Sequence, residues 1–523
     1  MTRILLSEEP FQDIPHAYWA FEGNWPASWI DHPRRPQGTP SVAVFRRRFT
    51  VEEPAVARLH VSADNRYRLF LDGKPLGSGP ERGDPQHWRY ESYAVELAPG
   101  EHVLAAMTWW LADIAPQAQM SIRPGFLLAA EGAWQDILST GIAPWEALLA
   151  AGVAYLPTEN VWGGWTPEPA PAYPMIKECE FYPPVWGTGA RIRLDGTGYP
   201  WGCESGNGDN WIAAIPLALA MSAAPKTQYL LRDWLLSPAT LLPQREAPLP
   251  GNGTLRHLAA GNQPYPVKPI AHLAPEAPAW QAWLDGTGSV TIPAGEIRTA
   301  IIDLNEYYCA DARLRVSGGA GGWLRLRWAE ALYEEPEGIN KGNRNEIDGK
   351  YCVALGNEFL PDGETDREFF TLWWEAGRYL ELTVVTGDAP VTLQALTLTE
   401  SRYPLEMEGH FTAADQRLEA IIPIGVRALQ MCAHETYMDC PYYEQLMYIG
   451  DTRMEVLTTY ALTRDDRLPR QAVRSFDHSR LLSGLTRAQY PSKVVQLIPP
   501  FSLWWIGMAH DYWHWRDDSE FVR

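Results

Sequence analysis

Hydrophobic and polar positions alternate through most of the chain up to residue 404, and this period of two predicts β-strands. Clear examples are residues 42–51, 57–63 and 67–71, the last of which runs into Asp72-Gly73, a pair typical of a two-residue hairpin turn. A second set of alternating segments begins near residue 295. The pattern predicts two β-rich regions, residues 1–236 and residues 295–404. Further strands are expected at 93–97, 102–108, 211–221, 228–234, 300–304, 312–317, 323–328, 369–372, 379–385 and 391–398.

Two segments interrupt this pattern. Residues 154–199 are rich in proline and tryptophan, and residues 237–294 contain many prolines and glycines with little periodicity. The first is expected to be an irregular insertion and the second an extended connector on a domain surface.

From residue 405 onward the apolar residues recur at helical spacing instead. The first helix is expected to follow a capping box of Thr412 and Asp415, to kink or begin late at Pro423, and to end near Asp439 because Pro441 disfavours helix before it. A further helix is expected after Asp465-Asp466, and another from Pro499-Pro500 to about Trp515, with residues 480–496 as a long loop. The apolar faces are carried by Leu418, Ile421, Ile422, Val426, Leu429 and Cys432, then by Met454, Leu457 and Ala461, then by Leu468, Ala472, Val473 and Phe476.

Part of this helical region repeats. Residues 460–466 (YALTRDD) are matched by residues 512–518 (YWHWRDD), and each copy reads as a helix end followed by an acidic cap. A two-helix unit of about fifty residues is therefore expected to recur, as in a toroid of helical hairpins.

Composition narrows the classes of function. The formal charge of −20 argues against nucleic-acid and anionic-membrane partners, which prefer a basic face. The start of the chain does not read as a secretory signal, no segment is long and apolar enough to span a membrane, and the six cysteines have no Cys-x-x-Cys spacing. We therefore expect free thiols and a cytoplasmic location, and the sequence shows no metal-site spacing.

The chemistry is concentrated in residues 434–453, HETYMDCPYYEQLMYIGDTR, which hold four carboxylates and four tyrosines between two helical patterns. Glycoside hydrolysis uses a pair of carboxyl groups, one of which must stay protonated. Glu444, beside Tyr443 and near Asp439 and Asp451, is the candidate acid. The structural alternatives are that Asp451 is a helix N-cap, that Asp439 binds backbone amides and that the tyrosines simply pack.

Within this segment, Asp439-Cys440-Pro441, Glu444 and Gly450-Asp451 resemble the signature loop of the α-L-rhamnosidases of glycoside hydrolase family 78. The resemblance implies an (α/α)6 barrel, inversion at the anomeric carbon, Glu444 as general acid, and Asp439 and Asp451 as sugar contacts, with no cofactor or metal. Tyr443 and Tyr448 are expected to contact substrate. The chain departs from the family at Tyr443 and Leu446, where members often carry Arg, and at Met447-Tyr448, where they often carry Gly-Trp.

The implied fold is two β-sandwich, jelly-roll-like domains (residues 1–236, similar to galactose-binding modules around 64–74, and 295–404, like the sandwich that precedes the rhamnosidase barrel) followed by the first part of the barrel (405–523). The implied function is hydrolysis of a terminal sugar from a glycoside. In the family the general base is a Glu on a much later barrel loop, so it is expected beyond Arg523 and the chain alone is expected to be inactive. The apolar faces around Leu457, Phe476 and Trp504 are then expected to be partly exposed.

Several alternatives stay open at this stage. The chain could be a non-catalytic sugar-binding or scaffold relative, could act on another sugar, or could form a homo-oligomer in which a neighbour supplies the base. Trp162, Trp165, Arg487, Lys493 and the loop 338–345 are further candidates for sugar contacts, although a structural or surface role is the simpler interpretation of each.

Overall fold

The computed structural model describes residues 2–11, 23–156, 191–223, 233–261, 266–268, 273–336, 338 and 340–523. The predicted strand at 228–234, most of the insertion at 154–199 and the Trp162–Trp165 platform lie largely or wholly outside these residues.

The first part of the chain forms two sheets. Their core contains side chains from both, including Phe45, Val61, Leu69, Tyr93 and Phe126, so the sheets pack face to face as a β-sandwich. One sheet has the order β1-β7-β15-β14-β2-β9-β4 and the other β13-β10-β3-β8-β5-β6. The elements along this part of the chain are β1 Thr2–Ile4, β2 Asn24–Asp31, β3 Ser41–Val51, β4 Ala55–Asp64, β5 Arg66–Leu71, β6 Lys74–Gly79, β7 Trp88–Leu97, β8 Gly100–Trp110, β9 Gly125–Ala130, the short helix α1 Gln135–Leu138, β10 Glu146–Leu149, β11 Val153–Tyr155, β12 Ile192–Asp195, β13 Ile212–Ala213, β14 Ile215–Ser222 and β15 Leu235–Pro238. Of these, β11 and β12 belong to the sheet of the second part.

The predicted hairpin between β5 and β6 is confirmed. Asp72 and Gly73 both have positive φ, 52° and 77°, which is the geometry of a two-residue turn that follows the twist of the strands. The turn places Arg66 and Arg68 of β5 on the side of the sandwich that faces the rest of the molecule.

The second part is a large sheet with the order β11-β12-β21-β20-β23-β19-β24-β16, to which β17, β18 and β22 are added. Its long central strand β19 pairs with β23 at one end and with β24 at the other. The remaining elements are β16 Arg245–Pro248, β17 Thr254–Ala259, α2 Ala277–Leu284, β18 Val290–Ile292, β19 Ile297–Gly318, β20 Trp323–Ala329, β21 Leu355–Leu360, β22 Arg367–Phe370, β23 Glu375–Val385 and β24 Val391–Arg402.

The expected connector at 237–294 is wrong. Its residues form β16, β17, α2 and β18, and all three strands hydrogen-bond to β19 or β24. Pro248 sits where a sheet tolerates proline, since it ends β16, a strand at the end of the sheet order.

The last part is helical. Its helices are α3 Gln416–Met431, α4 Ile449–Leu462, α5 Arg467–His478, α6 Pro499–Trp515 and the short α7 Ser519–Val522. The predicted α5, α6 and long loop between them are confirmed. The two copies of the repeat contact each other, because the Tyr512 hydroxyl donates to Asp466 and Arg516 donates to the Thr463 carbonyl. In the described residues, no helix is long and apolar enough to cross a membrane.

The predicted course of α3 needs correction. Asp415 alone is the N-cap, accepting from the Arg417 amide, and Thr412 takes no part in it. The helix begins at Gln416, runs through Pro423 and ends at Met431, eight residues before Asp439. It ends early because the residues that follow are held by the two β regions, as described below.

The expected exposure of the apolar faces holds only in part. Trp504 is exposed and Leu457 half-buried, whereas Phe476 is fully buried in a core between α4, α5 and α6. Exposed apolar residues of the helices include Leu418, Ile421 and Ile424 on α3, Met454 on α4, and Leu503, Trp504, Ile506, Trp513 and Trp515 along α6.

Candidate active site

Residues 432–448, here called the acidic loop, connect α3 to α4. A tight turn closes within it, because the Gln445 amide donates to the Cys440 carbonyl and the Asp439 amide donates to the Leu446 carbonyl. Gln445 has a positive φ of 50°, which lets the chain reverse after Glu444. The turn therefore presents Asp439 and Glu444 on opposite arms of one short segment.

The first β region holds this loop by buried charge. Glu435 accepts two hydrogen bonds from the Arg66 guanidinium, one of them from Nη1 at 2.6 Å, and Arg82 Nε lies 3.8 Å from its carboxylate. Arg82 Nη1 also donates to the Gln445 carbonyl at 2.7 Å. These side chains are almost fully buried, so removing either partner would leave an unpaired buried charge.

The second β region holds the same loop through aromatic residues. Trp373 Nε1 donates to Gln445 Oε1 at 3.0 Å, and Trp374 stacks on His434 with ring centroids 4.0 Å apart. The Tyr442 hydroxyl donates to the Trp328 carbonyl at 2.6 Å. Two separate parts of the chain thus fix the conformation of the loop.

The structure brings together the two carboxyls that the sequence singled out first. Donor atoms of Asp439, Cys440 and Glu444 lie within 4.8 Å of one another, and all three residues are half-buried. The Asp439 pKa is raised, first because burial disfavours its charge and next because the Glu444 carboxyl repels it and hydrogen-bonds to it. Asp439 Oδ1 is buried without a partner. A carboxyl pair of this kind favours holding one proton between its members.

Asp451 lies at the edge of this pair. It is exposed, in the first turn of α4, and Tyr448 occupies the N-cap position, so the reading of Asp451 as an N-cap is wrong. Its negative charge contributes to raising the pKa of Asp439.

Glu455 joins the group, and sequence reasoning missed it. Its pKa is raised well above the usual range by burial, by Asp451 and by Asp439, and its Oε2 atom is buried without a partner. The available signal was its position one helical turn after Asp451, which puts both on one face of α4.

The tyrosines of the loop have different surroundings. The Tyr443 hydroxyl lies 3.1 Å from that of Tyr333 and accepts a hydrogen bond from Lys341 Nζ at 2.9 Å, and Lys341 also pairs with Glu330. The loop 338–345 therefore reaches the acidic loop through Lys341. Tyr448 is half-buried at the start of α4.

Two of the four positions at which the chain departs from the family pattern are core residues. Leu446 and Met447 are fully buried, so they pack the loop rather than face a ligand.

Arg487 donates to the Ser492 carbonyl, and Lys493 donates to the Ala115 carbonyl of the first β region. Both cations bind the chain itself, and neither is brought to Glu444.

Within the part of the chain that the structure describes, two groups of side chains have the donor types and spacing of a metal site. One is Asp439, Cys440 and Glu444, and the other is Asp84, His87 and His478. In the second group the imidazole rings stack in parallel, 3.5 Å apart, with their Nδ1 atoms facing Asp84. Because a metal binds in the plane of an imidazole, this stacking fits a hydrogen-bonded contact between β-sandwich and helices better than an ion site. The five cysteines in the described residues are free thiols.

Comparison with known proteins points in one direction. Residues 406–523 match a family model described as the bacterial α-L-rhamnosidase six-hairpin glycosidase domain. The structure is similar to a GH78 family rhamnosidase of Bacillus sp. GL1, with a TM-score of 0.71 and 16% identity over 94% of this chain and 67% of that one. No curated protein matches the sequence.

Two further solved structures are similar over most of this chain. An α-L-rhamnosidase from Dictyoglumus thermophilum gives a TM-score of 0.60 at 14% identity, covering 94% of this chain and 49% of that one. The Streptomyces avermitilis α-L-rhamnosidase complexed with L-rhamnose gives 0.53 at 16% identity, covering 91% and 42%. The chain thus spans about two thirds of the length of the Bacillus protein and half or less of the other two.

Proposed function

We propose, from the premise that the chain is α-L-rhamnosidase-like, that the acidic loop is the proton-donating side of a glycoside hydrolase active site. The observation that carries this proposal is the Asp439–Glu444 pair, two interacting carboxyls on a loop fixed by both β regions. The family model that matches residues 406–523 and the rhamnose-bound Streptomyces protein support a terminal L-rhamnoside or a related sugar as substrate.

In this proposal Glu444 gives its proton to the leaving oxygen of the glycosidic bond. Asp439, whose pKa is raised, keeps a proton available to the pair at neutral pH. Asp451 is exposed beside them and accepts hydrogen bonds from sugar hydroxyls. Tyr443 and Tyr448 line the sugar-binding site in this proposal. The reaction needs no cofactor.

An inverting reaction also needs a carboxylate on the opposite face of the sugar, about 6.5–9.5 Å from the acid. Asp439, Asp451 and Glu455 are on the acidic loop or the helix that follows it, the same side as Glu444. We therefore propose that the mechanism is inverting and that the general base lies outside the acidic loop and α4, for example on another chain or on a further part of an (α/α)6 barrel.

The purified 523-residue chain, assayed on an aryl α-L-rhamnoside alongside a measurement of its mass in solution, is expected to show no turnover as a monomer. Robust turnover by the monomer would contradict an external base. Such a result would contradict only the external base, and the role of Glu444 is tested by a separate experiment.

Where a second copy or another chain completes the site, Glu444→Gln is expected to lower turnover of a rhamnoside with a poor leaving group by about 10²–10⁴-fold. An activated aryl leaving group needs less protonation and is expected to lose less. Equal and small losses on the two substrates would remove Glu444 from the role of acid.

A further inference from the structure

A cavity of about 510 Å³ lies behind the acidic loop, between the two β regions. Its walls come from β5 and β6 of the sandwich, from Asp311 and Arg313 of β19, and from residues 370–374. His434 and Glu435 of the acidic loop form part of its lining, whereas Asp439 and Glu444 do not. Its volume is within the range of about 300–1,000 Å³ typical of small-molecule sites.

The lining combines apolar surface with charged groups of both signs, because it holds arginines and carboxylic acids in equal number. Several of their hydrogen-bonding atoms are unused. Every hydrogen bond from the Arg68 guanidinium comes from Nη2, to Asp311 Oδ1 at 3.1 Å and to the carbonyls of residues 371 and 372. Arg82 Nε is buried with no hydrogen-bond partner. Glu246 is an exposed residue at the side of the cavity, and the pKa of its carboxyl is raised by partial burial and by Asp311.

Flat aromatic faces lie beside these charges. Arg66 and Arg82 lie 4.7 and 5.6 Å from the centre of the Trp373 ring, and Arg68 lies 5.6 Å from the centre of the Trp109 ring. Phe370 completes this wall. These rings are themselves buried, so they support the guanidinium groups and form an apolar part of the cavity wall.

The geometry points to a second carbohydrate site, in which this cavity binds a neutral saccharide. A hydroxyl both donates and accepts hydrogen bonds, so a polyol satisfies guanidinium donors and carboxylate acceptors in one lining. An anionic ligand would meet the carboxylates and a cationic ligand the arginines, so a balanced lining disfavours both. This inference does not depend on hydrolysis at Glu444.

A saccharide bound in this cavity would contact the acidic loop at His434 and Glu435, not at Asp439 and Glu444. Glu435 lines the cavity and lies four residues before Asp439, and its partners Arg66 and Arg82 line the cavity too. Occupancy of the cavity would therefore stabilise the same loop conformation that presents the carboxyl pair.

The test is calorimetric titration of the whole chain with methyl glycosides of L-rhamnose, D-galactose and D-glucose. At least one is expected to bind saturably, and Glu246→Gln and Asp311→Asn are each expected to weaken that binding about 10-fold or more, the loss of a hydrogen bond to a charged acceptor. The exposed Asp388→Asn serves as a matched control and is expected to bind as the unaltered chain does.

Binding at this cavity is separated from binding at the acidic loop by Asp439→Asn and Asp451→Asn, which are expected to leave the cavity affinity unchanged. The inference is overturned if none of the glycosides binds, or if binding is lost only in the Asp439 and Asp451 variants. Thermal melts check folding. If Asp311→Asn does not fold, the exposed Glu246→Gln decides alone, and an unchanged affinity there overturns the inference.

Discussion

Asp439 illustrates how the chemistry depends on single side chains. Its carboxyl is half-buried beside Glu444, so burial and the neighbouring charge both favour its protonated form. The residue types were predictable from the spacing of the acidic segment. The raised pKa of Glu455 was not predictable, because it depends on the burial of the face of α4 that carries this side chain.

Asp439→Asn is expected to change how stability depends on pH. An acid whose pKa is raised by folding binds more protons in the folded state, so the free energy of unfolding falls as pH rises from about 4 towards the raised pKa, by up to about 1.4 kcal/mol per pH unit. The amide has no charge to bury. Its advantage in melting temperature over the unaltered chain should therefore grow between pH 4.5 and pH 7.5.

The exposed Asp388→Asn is the control and is expected to show the same small difference at both pH values. An advantage of Asp439→Asn that is constant or shrinks with rising pH would contradict the raised pKa.

At the scale of elements, the acidic loop is a short connection whose conformation is set by distant strands. Pro441 and the tyrosines predicted a loop here, but its anchors Arg66 and Trp373 lie far away in the sequence and carry no local signal. The same limit explains the wrong connector at 237–294. Its strands are short and separated by proline- and glycine-containing segments, and only pairing with β19 and β24 makes them strands.

Glu435→Gln tests the buried ion pairs by which Arg66 and Arg82 hold the acidic loop. It leaves the buried Arg66 and Arg82 without a counter-charge and is expected to lower the free energy of unfolding by about 3–5 kcal/mol. Glu358→Gln, which breaks the more exposed pair with Arg193, is the control and is expected to cost about 0–1 kcal/mol. The midpoints of urea unfolding of the two variants are compared. Equal losses of unfolding free energy would show that the ion pairs of Glu435 do not hold the acidic loop.

At the scale of the whole molecule, two β regions and a set of helices meet at the acidic loop. Alternation and helical spacing were enough to predict this order along the chain, and the matched motif added the location of the site. Which apolar residues of the helices are exposed was harder to predict, because it depends on which helix faces pack against other parts of the chain. Phe476 is buried, whereas Ile421 and Ile424 of α3 and Leu503 and Ile506 of α6 are exposed, and exposed apolar faces of this kind are typical of surfaces that bind another protein segment.

The central claim is that the acidic loop binds a sugar through Asp439 and Asp451, and calorimetric titration with L-rhamnose tests it most directly. Asp451 is exposed and is not the cap of α4, so Asp451→Asn is expected to weaken rhamnose binding about 10-fold or more without lowering the melting temperature. Asp439→Asn is expected to weaken it similarly. Repeating the series with Glu246→Gln present separates any rhamnose held in the cavity. Unchanged affinity in both Asp439→Asn and Asp451→Asn, with the chain folded, would contradict the account.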